Sequence, residues 1–193
     1  MHYFEPISPT VEEEIWRFWG KTMESVNQDI ENLKFWLNLQ PHLPHTLSNK
    51  QLKAYLLMNR GSVEKTKLKI DMYYTMRTVF PDVFQNSHPL SERLLHATKF
   101  IYFLPLPKLC ADFSRIVILK IKDVDAMDFD AYAWWAHIIN VVEIRLHEDA
   151  CSGHIVIIDM ENYKISYLMK FTPTLFKCIY TIGSVSIQFF CNH

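Results

Sequence analysis

Glycine is scarce in this chain, at 4 of 193 residues. That leaves too little of it for a glycine-rich loop that cradles phosphate on its backbone. Charge of one sign is missing too. Twenty basic and 21 acidic residues leave a formal net charge of −1, which argues against a nucleic-acid binder that relies on bulk positive charge. The cysteines Cys110, Cys151, Cys178 and Cys191 include no Cys-x-x-Cys pair, so neither a zinc ribbon nor a dithiol redox motif is expected. The opening "MHYFEPISPTVEEE" has no basic stretch leading into an apolar one, so no secretory signal is predicted. The thiols are then expected to be reduced, in a cytoplasmic protein. Nor is there an apolar run of about 18 residues, the length a membrane-spanning helix needs. The uncharged end, 178–193, is interrupted by Thr181, Ser184, Ser186 and Gln188. What the chain does have is apolar material: 49% hydrophobic and 14% aromatic residues, enough to core one domain, or one domain with a helical appendage.

The first half has helical periodicity. Ile30, Leu33, Trp36 and Leu37 share a face, and "QPHLPH" stops that helix with two prolines. Ser48 and Gln51 fit a capping box ahead of the apolar face Leu52, Tyr55 and Leu56. Gly61-Ser62 breaks and restarts the chain, and Val63, Ile70, Tyr73 and Tyr74 share a face that ends before Pro81. Residues 10–80 therefore read as a small helical bundle.

The period then changes. "RIVILKI" (115–121) and 154–160 read as buried strands, separated by a helix with Asp130 as N-cap and Trp134, Ile138, Val141 and Val142 on one face. An amphipathic segment around 165–169 follows, and Thr172-Pro173 fits an N-cap with proline at the first helical position. Strand, helix, strand, helix predicts an α/β unit whose strands can run parallel. Strands apolar on both faces are expected to be covered on both faces.

Candidates for chemistry are few. Asp159 and Glu161 are two carboxylates at a strand end, open either to general acid/base work or to capping the strand and the loop after it. The second reading is favoured, because no nucleophile-elbow, zinc-protease or Walker pattern accompanies them. The nine histidines are scattered without metal-ligand spacing, so no metal is expected. His137, mid-helix among Trp134, Trp135, Ile138 and Ile139, is either a satisfied interior imidazole or a ligand contact. The basic run at Arg60, Lys65, Lys67 and Lys69 is either a solvated helix face or a docking patch for an anionic membrane. The apolar helix around Trp134 is either ordinary core or the wall of an apolar pocket. Periodicity leaves that choice open.

Some stretches carry a family resemblance. "DIENLKFWLNLQPHLPHTLSNKQLKAYLLMNRGSVEKTKLKIDMYYTMRTVFPDVF", "RIVILKIKDVDAMDFD" and "EDACSGHIVIIDMENYKISYLMKFTPTLFK" together resemble the CRAL-TRIO lipid-binding family. The branch is the insect one related to α-tocopherol transfer protein, retinaldehyde-binding protein and clavesin, and the resemblance spans roughly residues 28–178. It implies a helical N-terminal module (1–85) followed by a CRAL-TRIO α/β sheet domain (86–193) that floors a lipid pocket. It further implies a monomeric, non-enzymatic carrier without a cofactor. That carrier would bind and transfer a tocopherol- or retinoid-like lipid and touch phosphoinositides at an anionic membrane surface. Val156 and Ile158 would face the lipid, with Ile165, Leu168, Phe171 and Ile179 continuing the wall. Trp134, His137, Ile138 and Val141 would stand opposite, and Arg60, Lys65 and Lys67 would meet headgroups.

The chain departs from that family at Leu57, Gly61 and Asn162, and the pattern stops after Lys177. An incomplete sheet domain with an exposed edge is therefore expected. Its uncharged tail (Ile182, Val185, Ile187, Phe189, Phe190) would be an aggregation hazard or an improvised edge strand. The alternative function is a truncated fragment that carries no ligand, or an interaction module acting through its helices.

Overall fold

The computed structural model of the chain describes residues 3–5, 7–84 and 88–186. Four helices come first: α1 (Pro9–Phe18), α2 (Met23–Asn38), α3 (Asn49–Met58) and α4 (Val63–Val79). Two short ones follow, α5 (Pro81–Phe84) and α6 (Glu92–Ala97). Next come β1 (Ile101–Leu109), β2 (Ser114–Ile121), α7 (Ala131–Glu148), β3 (Gly153–Asp159), α8 (Ile165–Leu168) and α9 (Pro173–Ser186). The fold is thus mixed α/β, helices first and then a three-stranded sheet.

Local chemistry sets the helix starts. Ser48 accepts the backbone N–H of Gln51 while the Gln51 side chain accepts the backbone N–H of Ser48, closing the expected capping box. Thr22 and Ser25 do the same for α2. Asp130 accepts from the N–H groups of both Tyr132 and Ala133. Thr172 accepts from Leu175 at 3.1 Å, just ahead of Pro173. Between α3 and α4 the chain turns through Arg60 (φ 54°) and Gly61 (φ 72°), and the Gly61 N–H returns to the Leu56 carbonyl at 2.8 Å. Gly61 supplies the left-handed conformation this closure needs.

Apolar packing falls into two clusters. Ile15, Trp16, Val26, Ile30, Leu33, Leu37, Leu52 and Leu56 core the N-terminal helices, joined by Leu146 from α7. Phe100, Phe103, Val117, Phe129, Trp135, Ile138 and Tyr167 core the sheet side, joined by Tyr73, Phe80 and Phe84. Each cluster therefore takes residues from both halves of the chain.

The strand order is β1-β2-β3, with β1 antiparallel and β3 parallel to β2. Helix α7 is the crossover between the parallel pair, as expected for such a unit. Strand β1 is not anticipated by the sequence reading. It holds Pro105 and Pro107, which an edge strand tolerates because its outer side needs no ladder N–H. The chain's start lies along that outer side: the Glu5 N–H donates to the Pro107 carbonyl at 3.2 Å and the Tyr3 hydroxyl to the Pro105 carbonyl at 2.9 Å.

Two expectations are corrected. Only one sheet face is covered, since Tyr102, Leu104, Ile155 and Ile157 on the other face are exposed. The start of the tail is helical rather than a strand: α9 continues through Ile182 and Val185, because Leu175, Cys178 and Ile182 recur at helical spacing and are fully buried. Ile187, Phe189, Phe190 and Cys191 lie outside the described residues.

Candidate functional site

The residues expected to line a lipid pocket separate into two groups. Trp134, Ile138, Val141, Val156, Phe171 and Ile179 pack into the sheet-side core. Trp134 and Phe171 meet edge to face at 5.5 Å, and Phe171 lies 6.1 Å from Phe129. Ile158 and Leu168 are largely exposed, and Ile165 is 81% exposed. His137 is half-buried, and burial lowers its pKa. The three surface clefts described are lined by other residues. Side chains that periodicity left as either core or pocket are core where α7 faces the sheet and solvent-facing beyond it.

Asp159 sits where the strand-end reading put it. Its carboxylate accepts the Glu161 N–H at 3.0 Å and pairs with Lys120 Nζ at 2.7 Å, and the same ammonium reaches Glu161 at 2.7 Å. The Lys120 hydrogen bond holds the Asp159 pKa below its ordinary value. Two carboxylates sharing one lysine form a surface clasp between β2 and the loop after β3. Among the described residues, no group of three His, Cys, Asp or Glu side chains is placed to hold a metal ion.

The three expected headgroup contacts lie on α4 and in the turn before it. The Arg60 guanidinium lies 5.0 Å above the Trp19 ring. The Lys67 ammonium pairs with Glu64 at 2.7 Å. Lys65 is exposed on the same helix as Lys67, while Arg60 sits in the turn before it.

The sequence reading missed a buried polar knot at the amino ends of β2 and β3. Arg115 donates through Nε to both Asp149 oxygens at 2.8 Å and through Nη1 to the Leu106 carbonyl at 2.5 Å. Arg145, one helical turn before Asp149, donates to the same carboxylate at 2.7 and 2.9 Å and reaches His154 Nδ1 at 3.0 Å. Cys151 Sγ lies 3.4 Å from that nitrogen. The Phe4 ring lies 4.4 Å from the Arg115 guanidinium carbon. Burial alone would raise the Asp149 pKa, but hydrogen bonds from Arg115 and the two guanidinium charges hold it below the ordinary carboxylate value. The Arg145–Asp149 spacing, i to i+4 across a helix end, was the available signal.

A second join lies between α4 and α7. Glu143 accepts from the Tyr73 hydroxyl and pairs with Arg77, which also donates to the Tyr73 oxygen at 2.9 Å. Together these contacts hold the helical module against the sheet half.

The module keeps an apolar outer surface. Phe35 and Leu39, four residues apart on α2 and at its C-cap, are 69% and 62% exposed, and Leu68 on α4 is 67% exposed. The His42 ring nitrogen meets Asp71 at 2.6 Å. That contact brings the turn after Leu39 against the stretch of α4 that carries Leu68, one turn before Asp71.

Residues 22–94 match the family described as Pinta-like, UBA domain. No curated protein matches the chain. The match covers α2 through the first half of α6 and points to a different family from CRAL-TRIO. The resemblance to CRAL-TRIO proteins is corrected accordingly. With it go lipid transfer, the tocopherol- or retinoid-like cargo, and the phosphoinositide and anionic-membrane contacts. The motifs behind that resemblance were mostly caps, turns and apolar helix faces, and packing requires these whatever a helical module binds. Among the described residues, no helix is long and apolar enough to cross a membrane.

Proposed function

We propose that the chain is a protein-interaction module that recognises ubiquitin or a ubiquitin-like surface through the helices within residues 22–94. The match of those residues to a UBA domain family carries the reading. The exposed apolar set Phe35, Leu39 and Leu68 supports it, because the fully buried centre of a protein interface is apolar and poor in charge. The flanking ion pairs Lys34–Glu31 and Lys67–Glu64 would form a polar rim.

The buried Cys151–His154 contact does not support thiol catalysis. The Cys151 thiol is pushed up to about 12 by burial, and burial together with Arg145 brings the His154 imidazole down to about 3. An activated Cys–His pair needs the opposite shifts. Cys110, Cys151 and Cys178 are free thiols, in keeping with a reducing, cytoplasmic setting.

The test is a titration of isotope-labelled chain with ubiquitin, followed by amide NMR. The expected result is a saturable set of shifts centred on the second half of α2 and the middle of α4. Shifts spread evenly over the chain, or none at all, would overturn the reading.

A further inference from the structure

A second site lies away from the Phe35–Leu39 surface. A cleft of about 440 Å³ opens between the turns after α1 and α3 and the amino ends of β2 and β3, lined among others by Phe18, Trp19, Arg60, Asp112, Ser152 and His154. His154 is the informative side chain. It is only 8% exposed, and both of its ring contacts, to Arg145 and to Cys151, are made by Nδ1. A guanidinium has donors only, so Nδ1 accepts and the proton rests on Nε2. No described protein group accepts that proton, and His154 lines the cleft. In the same wall the Trp19 indole Nε1–H is buried with no hydrogen-bond partner. The His154 side chain lines the cleft, so its Nε2–H is a donor that a ligand oxygen there can take.

The surroundings narrow what such a ligand is. Arg60 lies over Trp19 and brings a positive charge to the lining that His154 shares. Phe18 and Trp19 meet edge to face at 4.7 Å and form an aromatic wall. At the mouth, the Asp112 carboxylate already accepts from the Ser114 hydroxyl and N–H. It faces outward and matches a cation rather than an anion. The volume fits a single ring with a short polar head.

We propose that this cleft binds a small aromatic carboxylate, with the carboxylate taken by His154 Nε2–H and Arg60 and the ring held by Phe18 and Trp19. Asp112 would favour a ligand that also carries an ammonium, as an aromatic amino acid does. The neutral imidazole suits this role, because it stays a fixed donor across the physiological pH range.

Gly153 supplies the test. A Cβ built there meets no atom within 4 Å and opens into free space along the cleft lining. Gly153→Leu is therefore expected to fill the cleft while leaving the thermal midpoint in place. The full chain, labelled on histidine and tryptophan, is titrated separately with phenylacetate and with L-phenylalanine. The expected result is a saturable shift of the His154 Nε2–H and Trp19 Nε1–H signals, absent in Gly153→Leu and at least tenfold weaker in Phe18→Ala. Tighter binding of phenylalanine than of phenylacetate, with the difference lost in Asp112→Asn, assigns the ammonium contact. Equal binding restricts the site to the carboxylate and ring alone. No shift with either probe overturns the site, as does a shift that survives unchanged in Gly153→Leu. Should Gly153→Leu lower the thermal midpoint, Phe18→Ala decides, because that ring is exposed and its loss leaves the core intact. Neither outcome bears on ubiquitin binding, which is read from different residues.

Discussion

Arg115 and Asp149 face each other as a two-pronged ion pair inside the molecule. Nε and Nη2 each lie within 2.8 Å of the carboxylate, and the side chains are 1% and 2% exposed. Charges so deep are tolerated only when every prong is used. Here Arg145 and the Leu106 carbonyl take the remaining capacity. Removing one partner leaves the other charged and dry. Asp149→Ala is expected to cost about 3–5 kcal/mol, seen as a fall in the urea midpoint. Arg115→Met and Arg145→Met together with Asp149→Leu, which remove all three charges of the knot, are expected to recover much of that loss. A single variant that unfolds no more easily than the parent chain would mean the pair is not closed in solution.

The same knot makes stability depend on pH, through two groups of the same sign. The ordinary imidazole value is 6.5, and His154 in the fold stands at about 3, held down first by burial and then by Arg145. Between those values the unfolded chain holds a proton that the folded chain refuses. Stability therefore falls as pH drops from about 6.5 toward 3, by up to about 1.4 kcal/mol per pH unit. Asp149 is depressed below 3.8. Its contribution is present above that ordinary value and is lost as pH falls further, through the folded value. Denaturant midpoints measured from pH 7 to pH 4 should decline steadily, and His154→Phe should flatten the upper part of that decline. A flat profile in the parent chain would contradict the buried neutral imidazole.

Much of this fold was legible in the chain. The boxes at Ser48–Gln51 and Asp130 announce helix starts through chemistry that acts over three residues, and "RIVILKI" is too β-branched and apolar to be much else than a strand. Strand β1 was not legible, because Pro105 and Pro107 argue against a strand until it is known to be an edge that the chain's own start lies along. The continuation of α9 was obscured by Thr181, Ile182 and Val185, which favour strands locally but are helical once Leu175, Cys178 and Ile182 have a core to enter. The knot around Asp149 was illegible for a different reason. Arg115, Asp149 and His154 come together only when β2, α7 and β3 assemble, and no spacing encodes that. The resemblance rested on apolar faces, caps and turns, and apolar faces announce burial without saying what is buried.

Tyr73 ties the two halves through Glu143 and Arg77. Burial, and then the Glu143 charge, raise its pKa well above the usual phenol value, so it donates throughout the working pH range. Tyr73→Phe keeps the ring packing and deletes only the hydroxyl. It leaves the partly buried Glu143 one donor short, and the expected loss is about 1–3 kcal/mol. Thermal unfolding of the variant measures this directly. A loss above that range would indicate that the ring contacts to Tyr55 and Phe84 had also shifted.

Phe35 and Leu33 are two residues apart on α2 and separate surface from core. Leu33 is fully buried, so Leu33→Ala is expected to cost about 2–5 kcal/mol by leaving a cavity. Phe35 is mostly exposed, so Phe35→Ala is expected to change stability by no more than about 0.5 kcal/mol. If the outer face of α2 contacts ubiquitin, the order reverses for binding. Phe35→Ala, alone or with Leu39→Ala, should then weaken the ubiquitin titration by about tenfold or more, the loss of at least 1.4 kcal/mol that a central aromatic contact gives. The paired measurement separates two explanations for an exposed phenylalanine. Unchanged stability with lost binding makes it a contact, whereas unchanged stability with unchanged binding makes it one of the ordinary apolar residues of a protein surface and moves any ubiquitin contact off this face.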